Sequence, residues 1–201
     1  MPLQNRVDPF GELFAASARG LFMGNRGGRL HDAQRKLGAR RWTSKQWICC
    51  RLEFNNRQRK VWGDSYSELF FLDEVTALAA GHRPCFVCRR KEAERFAALF
   101  APGKARAHAA AMDEVLHAER LAGKAKRLHR RNIDTLPDGA MIALDGAAFA
   151  VRGARLLCWT PSGYAKARPR PRGSPVDVLT PPSVVAVLAR GYRPIWHPSS
   201  G

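Results

Sequence analysis

The chain has 201 residues, enough for one domain or for two small domains that share an interface. Its hydrophobic fraction of 45% is sufficient for a core and excludes a wholly disordered basic protein. There are 34 lysines and arginines against 17 aspartates and glutamates, which gives a net charge of +17. A surplus of this size attracts polyanions, and nucleic acid is the commonest of these.

The distribution of apolar and charged residues predicts where in the cell the protein is located. The first residues lack a basic segment followed by an apolar one, so no secretory signal is predicted. No apolar run approaches the ~20 residues that a membrane span needs. We therefore expect a cytoplasmic protein without disulfides. Its cysteines are expected to be thiols or metal ligands: Cys49, Cys50, Cys85, Cys88 and Cys158.

The first third of the chain predicts loops, one helix and a β-hairpin. Residues 1–45 carry turn signals, with a basic helix predicted at 29–41. The aromatic and β-branched residues of "QWICCRLEF" (46–54) indicate a strand. "NNRQR" (55–59) is typical of a turn, after which 60–72 is predicted to return as a second strand.

Two short helices are predicted, one before and one after Gly81. Asp73 is a good N-cap for "EVTALAA" at 74–80, and Gly81 followed by Pro84 ends that helix. A second helix is predicted over 89–100, ended by Pro-Gly.

The second half predicts one long helix and then mainly strands. Residues 104–131 are alanine-rich and predicted to be helical, with a run of cations at the end. Residues 136–144 and 147–159 are typical of a β pair. The proline- and arginine-rich segment 166–175 is predicted to be an extended, mobile loop.

One segment of the chain occurs twice. Residues 179–194 align without gaps on 69–84, and seven of the sixteen positions are identical. Ser183 corresponds to Asp73, so a capping residue is predicted in both copies. We interpret the pair as a pseudo-repeat; the alternative is a coincidence between two helices that end at glycine.

These patterns predict an α+β protein. The second copy carries no cysteine pair, since Ile195 and Pro198 stand where Cys85 and Cys88 would be. The predicted parts are an N-terminal basic loop and helix segment, a zinc module of a β-hairpin with short helices, a basic helical connector, and a C-terminal α+β pseudo-repeat, at 1–45, 46–103, 104–132 and 133–201.

The motif "GHRPCFVCRR" at 81–90 predicts one zinc ion per chain. Cys85 and Cys88 have the C-x-x-C spacing with which one turn supplies two ligands. A strand points adjacent side chains to opposite faces, so Cys49 or Cys50 is expected as the third ligand. The fourth would be the other of these two, His82 or water. A redox pair and unliganded thiols remain as alternatives.

"ELFFLDEVTALAAGHRPCFVCRR" resembles the second half of the Ada-type zinc-binding domain of bacterial DNA-alkylation response proteins. The resemblance covers about residues 46–95. It implies a small α/β zinc domain that binds DNA, with Cys85 and Cys88 as its second ligand pair. The first pair of that family is separated by three residues, whereas Cys49 and Cys50 are adjacent. The family's methyl transfer to cysteine is therefore not carried over.

The function predicted first is a zinc-containing protein that binds nucleic acid, DNA in the first place, through basic segments 35–41, 124–131 and 166–172. No small-molecule cofactor is indicated. The expected contacts are Arg83, Arg89, Arg90, Lys124, Lys126, Arg127, Arg130, Arg131, Lys166, Arg168, Arg170 and Arg172.

Two other functions remain open. One is a repair or processing enzyme that uses a metal-activated cysteine, or Asp113 and His117, which stand at i, i+4 on one helix. The other is a scaffold that binds an acidic protein. "GGRLHD" at 27–32 is a further candidate fragment of an active site, although a nuclease would need more carboxylates.

Overall fold

A short buried helix joins the parts of the fold. The structure is a computed structural model that describes residues 2–56, 60–101, 103 and 107–201. All six residues of α1 (Glu74–Ala79) are buried. Its Ala77 packs on one sheet, Val75 and Ala79 pack on a second sheet, and Leu78 packs among the other helices. A helix surrounded on every side must be small and largely apolar, and "EVTALA" meets this condition except at Glu74 and Thr76, whose side chains are hydrogen-bonded.

Six short strands form the first sheet, in the order β2-β1-β5-β3-β4-β6. The strand β1 pairs parallel with β5, β4 pairs parallel with β6, and the remaining neighbours are antiparallel. The strands are β1 (Arg6–Val7), β2 (Leu13–Phe14), β3 (Phe22–Asn25), β4 (Ile48–Arg51), β5 (Leu69–Phe71) and β6 (Arg83–Pro84).

The second sheet is antiparallel throughout, in the order β13-β12-β11-β10-β14-β9. A separate two-stranded hairpin, β7 (Leu121–Ala122) with β8 (Ala125–Lys126), leads into it. The strands of the sheet are β9 (His129–Asn132), β10 (Met141–Leu144), β11 (Ala147–Arg152), β12 (Arg155–Thr160), β13 (Gly163–Pro169) and β14 (Pro175–Val178).

Three longer helices pack together beside α1. They are α2 (Arg90–Phe100), α3 (Ala109–Arg120) and α4 (Pro182–Ala189). Their apolar faces meet Leu78 in one cluster that includes Phe96, Leu116 and Val187. In the described part of the chain, no helix is long and apolar enough to cross a membrane. The mixed α+β class is therefore as predicted, with sheets predominating over four helices.

The predicted β-hairpin of 46–54 with 60–72 is wrong. The strands β4 and β5 lie within those two segments, but β3 lies between them in the sheet and pairs with both. Residues 1–45, predicted as a loop and helix segment, thus supply three strands, and a boundary after residue 45 divides a sheet. Of the predicted turn at 55–59, residues 57–59 lie outside the described residues.

Two predicted helices are wrong or too long. Residues 29–41 form turns with one isolated bridge between His31 and Leu37. The helix predicted at 104–131 is described from Ala109 and ends at Arg120, where β7 begins; residues 104–106 are outside the described part. Gly123 sits in the β7–β8 turn at φ 63°, a left-handed conformation that suits glycine and ends helical continuation.

Two predictions for the second sheet also change. The predicted strand at 147–159 is two strands, β11 and β12, joined by a turn at Gly153. Within the predicted loop 166–175, the first four residues belong to β13 and pair with β12.

The structural likeness between the two predicted copies is limited to one helix and its end, so the pseudo-repeat stays a prediction. Gly81 and Gly191 have φ of 90° and 95°, and each N–H bonds the carbonyl three residues back. The N-termini differ, because Asp73 Oδ1 accepts from Thr76 N at 2.8 Å whereas α4 is capped by Pro181. Ser183, predicted as a cap, lies inside α4. No strand follows the second copy in residues 195–201.

Candidate metal centre and pocket

Three cysteines meet at the edge of the first sheet. The sulfurs of Cys50, Cys85 and Cys88 all lie within 4.8 Å of one another, and together they can hold a metal ion. Backbone N–H groups point at two of them: Val87 N is 3.4 Å from Cys85 Sγ, and Arg51 N is 3.4 Å from Cys88 Sγ. Such donors stabilise thiolates, which are the form of cysteine that binds metal.

The pairing of two strands brings the cysteines together. Arg83 N donates to Trp47 O and Cys85 N donates to Cys49 O, which places β6 beside β4. Pro84 lies between these two donors on an edge strand, where its missing N–H leaves no ladder bond unmade. The chain then turns through the C-x-x-C into α2, and both cysteines face Cys50.

The three sulfurs cannot all be thiolates without a cation. Hydrogen bonds from the Cys50 and Cys88 thiols lower the pKa of Cys85. The hydrogen bond between Cys50 and Cys85 is the largest cause of the raised pKa of Cys50, and the bond to Cys88 is the second. These shifts favour a thiolate at Cys85 and thiols at Cys50 and Cys88. A bound cation would stabilise the charge on all of them and release the remaining protons.

Two predicted ligands lie elsewhere. Cys49 points to the opposite face of β4, is 1% exposed, and has its sulfur 3.4 Å from Arg89 Nη1. Burial raises the pKa of Cys49. His82 is fully buried between Phe71 and Trp47, also on that face. The prediction that Cys49 or His82 completes the site is therefore wrong, and Cys50 is the strand cysteine of the cluster.

A pocket of about 570 Å³ opens beside the three sulfurs. Its floor is one face of the first sheet, where strand register sets two rows of side chains: Cys50 lies beside Met23 and then Phe70, while Ile48 lies beside Asn25. Most of the remaining lining is apolar or aromatic, with charged groups also present: Leu52, Phe54, Val61, Tyr66, Val87, Arg19, Arg51 and Glu53.

Glu68 is the exceptional residue of this pocket. It lines the pocket, is 3% exposed, and extends the row of Asn25 and Ile48. Its Oε2 accepts the N–H of Trp62 at 2.8 Å, but its Oε1 has no hydrogen-bond partner among the residues that the structure describes. A buried carboxylate oxygen without a partner is costly and marks a place where a ligand or proton is expected. No local sequence pattern indicates a functional role for Glu68.

A network anchors the loop that carries Glu68. Ser67 Oγ accepts from Leu30 N at 2.7 Å and lies 2.6 Å from His31 Nδ1. His31 Nε2 is 2.9 Å from Gly63 O, so the network assigns the proton to Nε2. The His31 ring stacks on Trp62, 5.0 Å between centroids. The "GGRLHD" motif is thus a support for the pocket wall.

The predicted nucleic-acid contacts divide into buried and exposed groups. Arg83 and Arg89 are each 1% exposed and are paired with Asp113 and Glu74, so neither guanidinium can meet a polyanion in the folded protein. Lys126 is half-buried, and its ammonium donates to Ala79 O. Arg83 and Arg89 are therefore corrected to interior cations, whereas the contact at Lys126 stays a prediction.

The other predicted contacts lie on or near the surface. Arg130 pairs with Asp177 and Arg168 stacks on Phe149. The strands β9 and β13, which carry Arg130, Arg131, Lys166 and Arg168, are at opposite edges of the second sheet. Exposed residues among the predicted contacts are Arg90, Lys124, Arg127, Arg130, Arg131, Lys166 and Arg172, while Arg168 and Arg170 are half-buried.

Asp113 and His117 do not form a catalytic pair. Asp113 is 6% exposed, and both of its oxygens accept from Arg83, at 2.8 and 2.7 Å. His117 Nδ1 lies 3.0 Å from Arg120 Nη2. The carboxylate is therefore committed to an interior ion pair.

Comparison of the chain with protein-family models, with curated proteins and with solved structures gives no match. The resemblance to the Ada-type domain stays a prediction.

Proposed function

We propose that the protein is a zinc-dependent enzyme whose metal is held by Cys50, Cys85 and Cys88 at one side of a substrate pocket. The observation that carries the proposal is the position of the three sulfurs in the lining of that pocket. Structural zinc sites are closed by four protein ligands, whereas catalytic sites have three and keep a fourth position for water or substrate.

The ligand count supports an open position. Among the described residues, no fourth histidine, cysteine, aspartate or glutamate joins the group within ligand distance. When bound, zinc would supply a Lewis acid and a water of lowered pKa. The chain's own part is to hold three thiolates with backbone N–H groups and to surround the open position with apolar side chains, which strengthens electrostatic interactions there.

Glu68 is the group that can move a proton in this pocket. Trp62 N–H fixes its Oε2, which leaves Oε1 as the free oxygen. In hydrolysis, a water oxygen bonds to the electrophilic atom of the substrate, one proton of that water passes to Oε1, and the proton is then returned to the leaving group. Glu68 lies two strands away from Cys50, about 10 Å across the sheet, so a substrate fits between them, and the water that Glu68 deprotonates is a water of the pocket and not one on the metal.

The pocket lining indicates the class of substrate. A volume of about 570 Å³ is within the range of small-molecule sites. Phe54, Tyr66 and Phe70 provide aromatic surface, and Arg19 and Arg51 provide positive charge. A planar group that bears an anion matches this lining, and a nucleotide unit, free or within a strand, has both features.

An open coordination position can be tested with the cobalt-substituted protein. We expect Co²⁺ to replace zinc and to give the absorption bands of a tetrahedral thiolate site. Cyanide or a small thiol should shift those bands, because it replaces the exchangeable fourth ligand. A spectrum that does not respond to either ligand would overturn the proposal, since it would indicate a closed site. Cys158→Ser, remote from the cluster, is the matched control and should behave as the parent.

The role of Glu68 can be tested by turnover. In a screen of nucleosides and nucleotides followed by NMR, we expect Glu68→Gln to lower the rate by about 100-fold or more, as loss of a general base does. Zinc content should stay unchanged. Glu53→Gln, at the exposed rim of the same pocket, is the control and should keep most of the activity. Equal rates for parent and Glu68→Gln would contradict the assignment.

A second candidate function is binding of nucleic acid by the exposed cations. It is favoured by the net charge of +17 and by exposed cations that form no ion pair with a described carboxylate, such as Lys124, Arg131 and Arg172. Phosphate contacts of this kind lose affinity steeply as salt rises. Oligonucleotide binding that does not respond to salt, or no binding at all, would remove this candidate.

A further inference from the structure

A second cleft, on the opposite face of the first sheet, is lined by cations. Asn25 faces the pocket, and the next residue, Arg26, faces this cleft. The cleft has a volume of about 20 Å³, room for one small group. Its charged lining contains five cations and one carboxylate, that of Glu12; the cations are Arg26, Arg41, Arg120, Lys124 and Lys126.

One tryptophan organises the two most buried cations. The guanidinium carbons of Arg26 and Arg120 each lie 3.9 Å from the centroid of the Trp47 ring. Both arginines are 1% exposed. The ring separates two like charges and attracts each of them, so it fixes both guanidinium groups at the cleft.

The cations of the cleft bond only to neutral acceptors. Arg26 donates to Gly11 O at 2.8 Å and to Arg41 O at 3.3 Å. Arg120 donates to Gly81 O at 2.9 Å and to Lys45 O at 2.7 Å. Lys126 donates to Ala79 O. Within the described residues, none of the three forms an ion pair with a carboxylate.

Arg120 also has a donor without any acceptor. Its Nε is buried and makes no hydrogen bond. The same fold pairs its other buried arginines with carboxylates, Arg83 with Asp113 and Arg89 with Glu74. Unpaired buried charges are strongly destabilising, so their concentration around a cleft indicates an anion that is supplied from outside.

The pKa values of the cations in the cleft are lowered by their surroundings. Burial, followed by the charge of neighbouring arginines, lowers the pKa of Lys126 to about 7. Burial lowers the pKa of Arg26 and of Arg120 to about 9. A bound anion would favour the charged forms of these side chains and so raise their pKa values again.

We infer that this cleft binds a phosphate-type oxyanion through Arg26, Arg120 and Lys126. The small volume excludes an organic body, so specificity is for the charged group itself. Arginine donors in a fixed arrangement suit its oxygens. The group can be inorganic phosphate or a phosphate of a nucleic-acid backbone. The inference does not depend on the metal centre.

The test is calorimetric titration of inorganic phosphate into the full chain, with chloride at equal ionic strength as the reference. We expect Lys126→Met to bind phosphate about tenfold more weakly, the effect of losing one charged hydrogen bond. Without phosphate, the same variant should melt at a higher temperature than the parent, because it removes a partly buried ammonium that has no described carboxylate as counterion. Lys166→Met, an exposed lysine on β13, changes net charge equally and should keep the parent's phosphate affinity.

An oligonucleotide arm distinguishes the two sources. If the anion is a backbone phosphate, inorganic phosphate competes with a short oligonucleotide and Lys126→Met weakens both ligands. If the anion is free phosphate, the oligonucleotide neither binds the cleft nor is displaced. No phosphate binding above the chloride reference, or equal loss in Lys126→Met and Lys166→Met, would overturn the inference. Arg120→Lys is a second variant, which keeps the positive charge but loses the forked donors of the guanidinium group, and it should also bind phosphate more weakly than the parent.

Discussion

Replacing Cys85 by serine is expected to reduce the zinc content of the purified protein from about one ion per chain to nearly none. A tetrahedral thiolate site has no substitute for a lost sulfur, and two remaining cysteines bind zinc weakly. Cys50→Ser and Cys88→Ser should have the same effect, because their sulfurs belong to the same group within 4.8 Å. The measurement is elemental mass spectrometry of each variant at matched protein concentration.

Cys49→Ser is the matched control for this prediction. It is adjacent to Cys50 in sequence, yet its sulfur lies on the opposite face of β4 and contacts Arg89. We expect this variant to keep its zinc, although loss of packing at a residue that is 1% exposed lowers its stability. Zinc that survives in Cys50→Ser but disappears in Cys49→Ser would show that the ligand set is wrong.

The contrast between Cys49 and Cys50 shows how far the sequence could lead. Alternation along a strand predicts that only one of two adjacent cysteines reaches the metal, and the structure agrees. Which one does so depends on which face of the sheet is the core. That depends on Phe22, Leu69 and Phe71, which pack with Cys49 and come from strands far apart in the chain.

Glu68 and Arg120 illustrate what local patterns leave out. Glu68 reaches the pocket beside the three cysteines because β3 lies between β4 and β5 in the sheet. This order of strands is a long-range arrangement, which the local patterns of short strands do not specify. Arg120 is in the last turn of a helix, where basic residues are common. Only its packing against Trp47 and Gly81 shows that it is a buried donor. Local signals were sufficient for α1, whose Asp73 cap and Gly81 end were both predicted.

A large loss of stability is expected from Asp113→Ala, a change away from the three-cysteine cluster. The Arg83–Asp113 pair has two charged hydrogen bonds of 2.8 and 2.7 Å, with side chains 2% and 8% exposed. Removing the carboxylate leaves the Arg83 charge buried without a counterion. We expect the free energy of unfolding to fall by about 3–5 kcal/mol, measured by urea denaturation.

Glu114→Ala on the same helix is the control for that prediction. Glu114 pairs with Lys45, but the two side chains are 62% and 50% exposed, so solvent screens the attraction. Its removal should change the free energy of unfolding by less than about 1 kcal/mol. The double variant Arg83→Met with Asp113→Leu separates the worth of the pair from the penalty of an orphaned charge. Because apolar side chains of similar volume can replace a buried ion pair, it should recover most of the stability that Asp113→Ala loses. A double variant as unstable as the single one would mean that the pair positions β6 and α3 by geometry that no apolar contact reproduces.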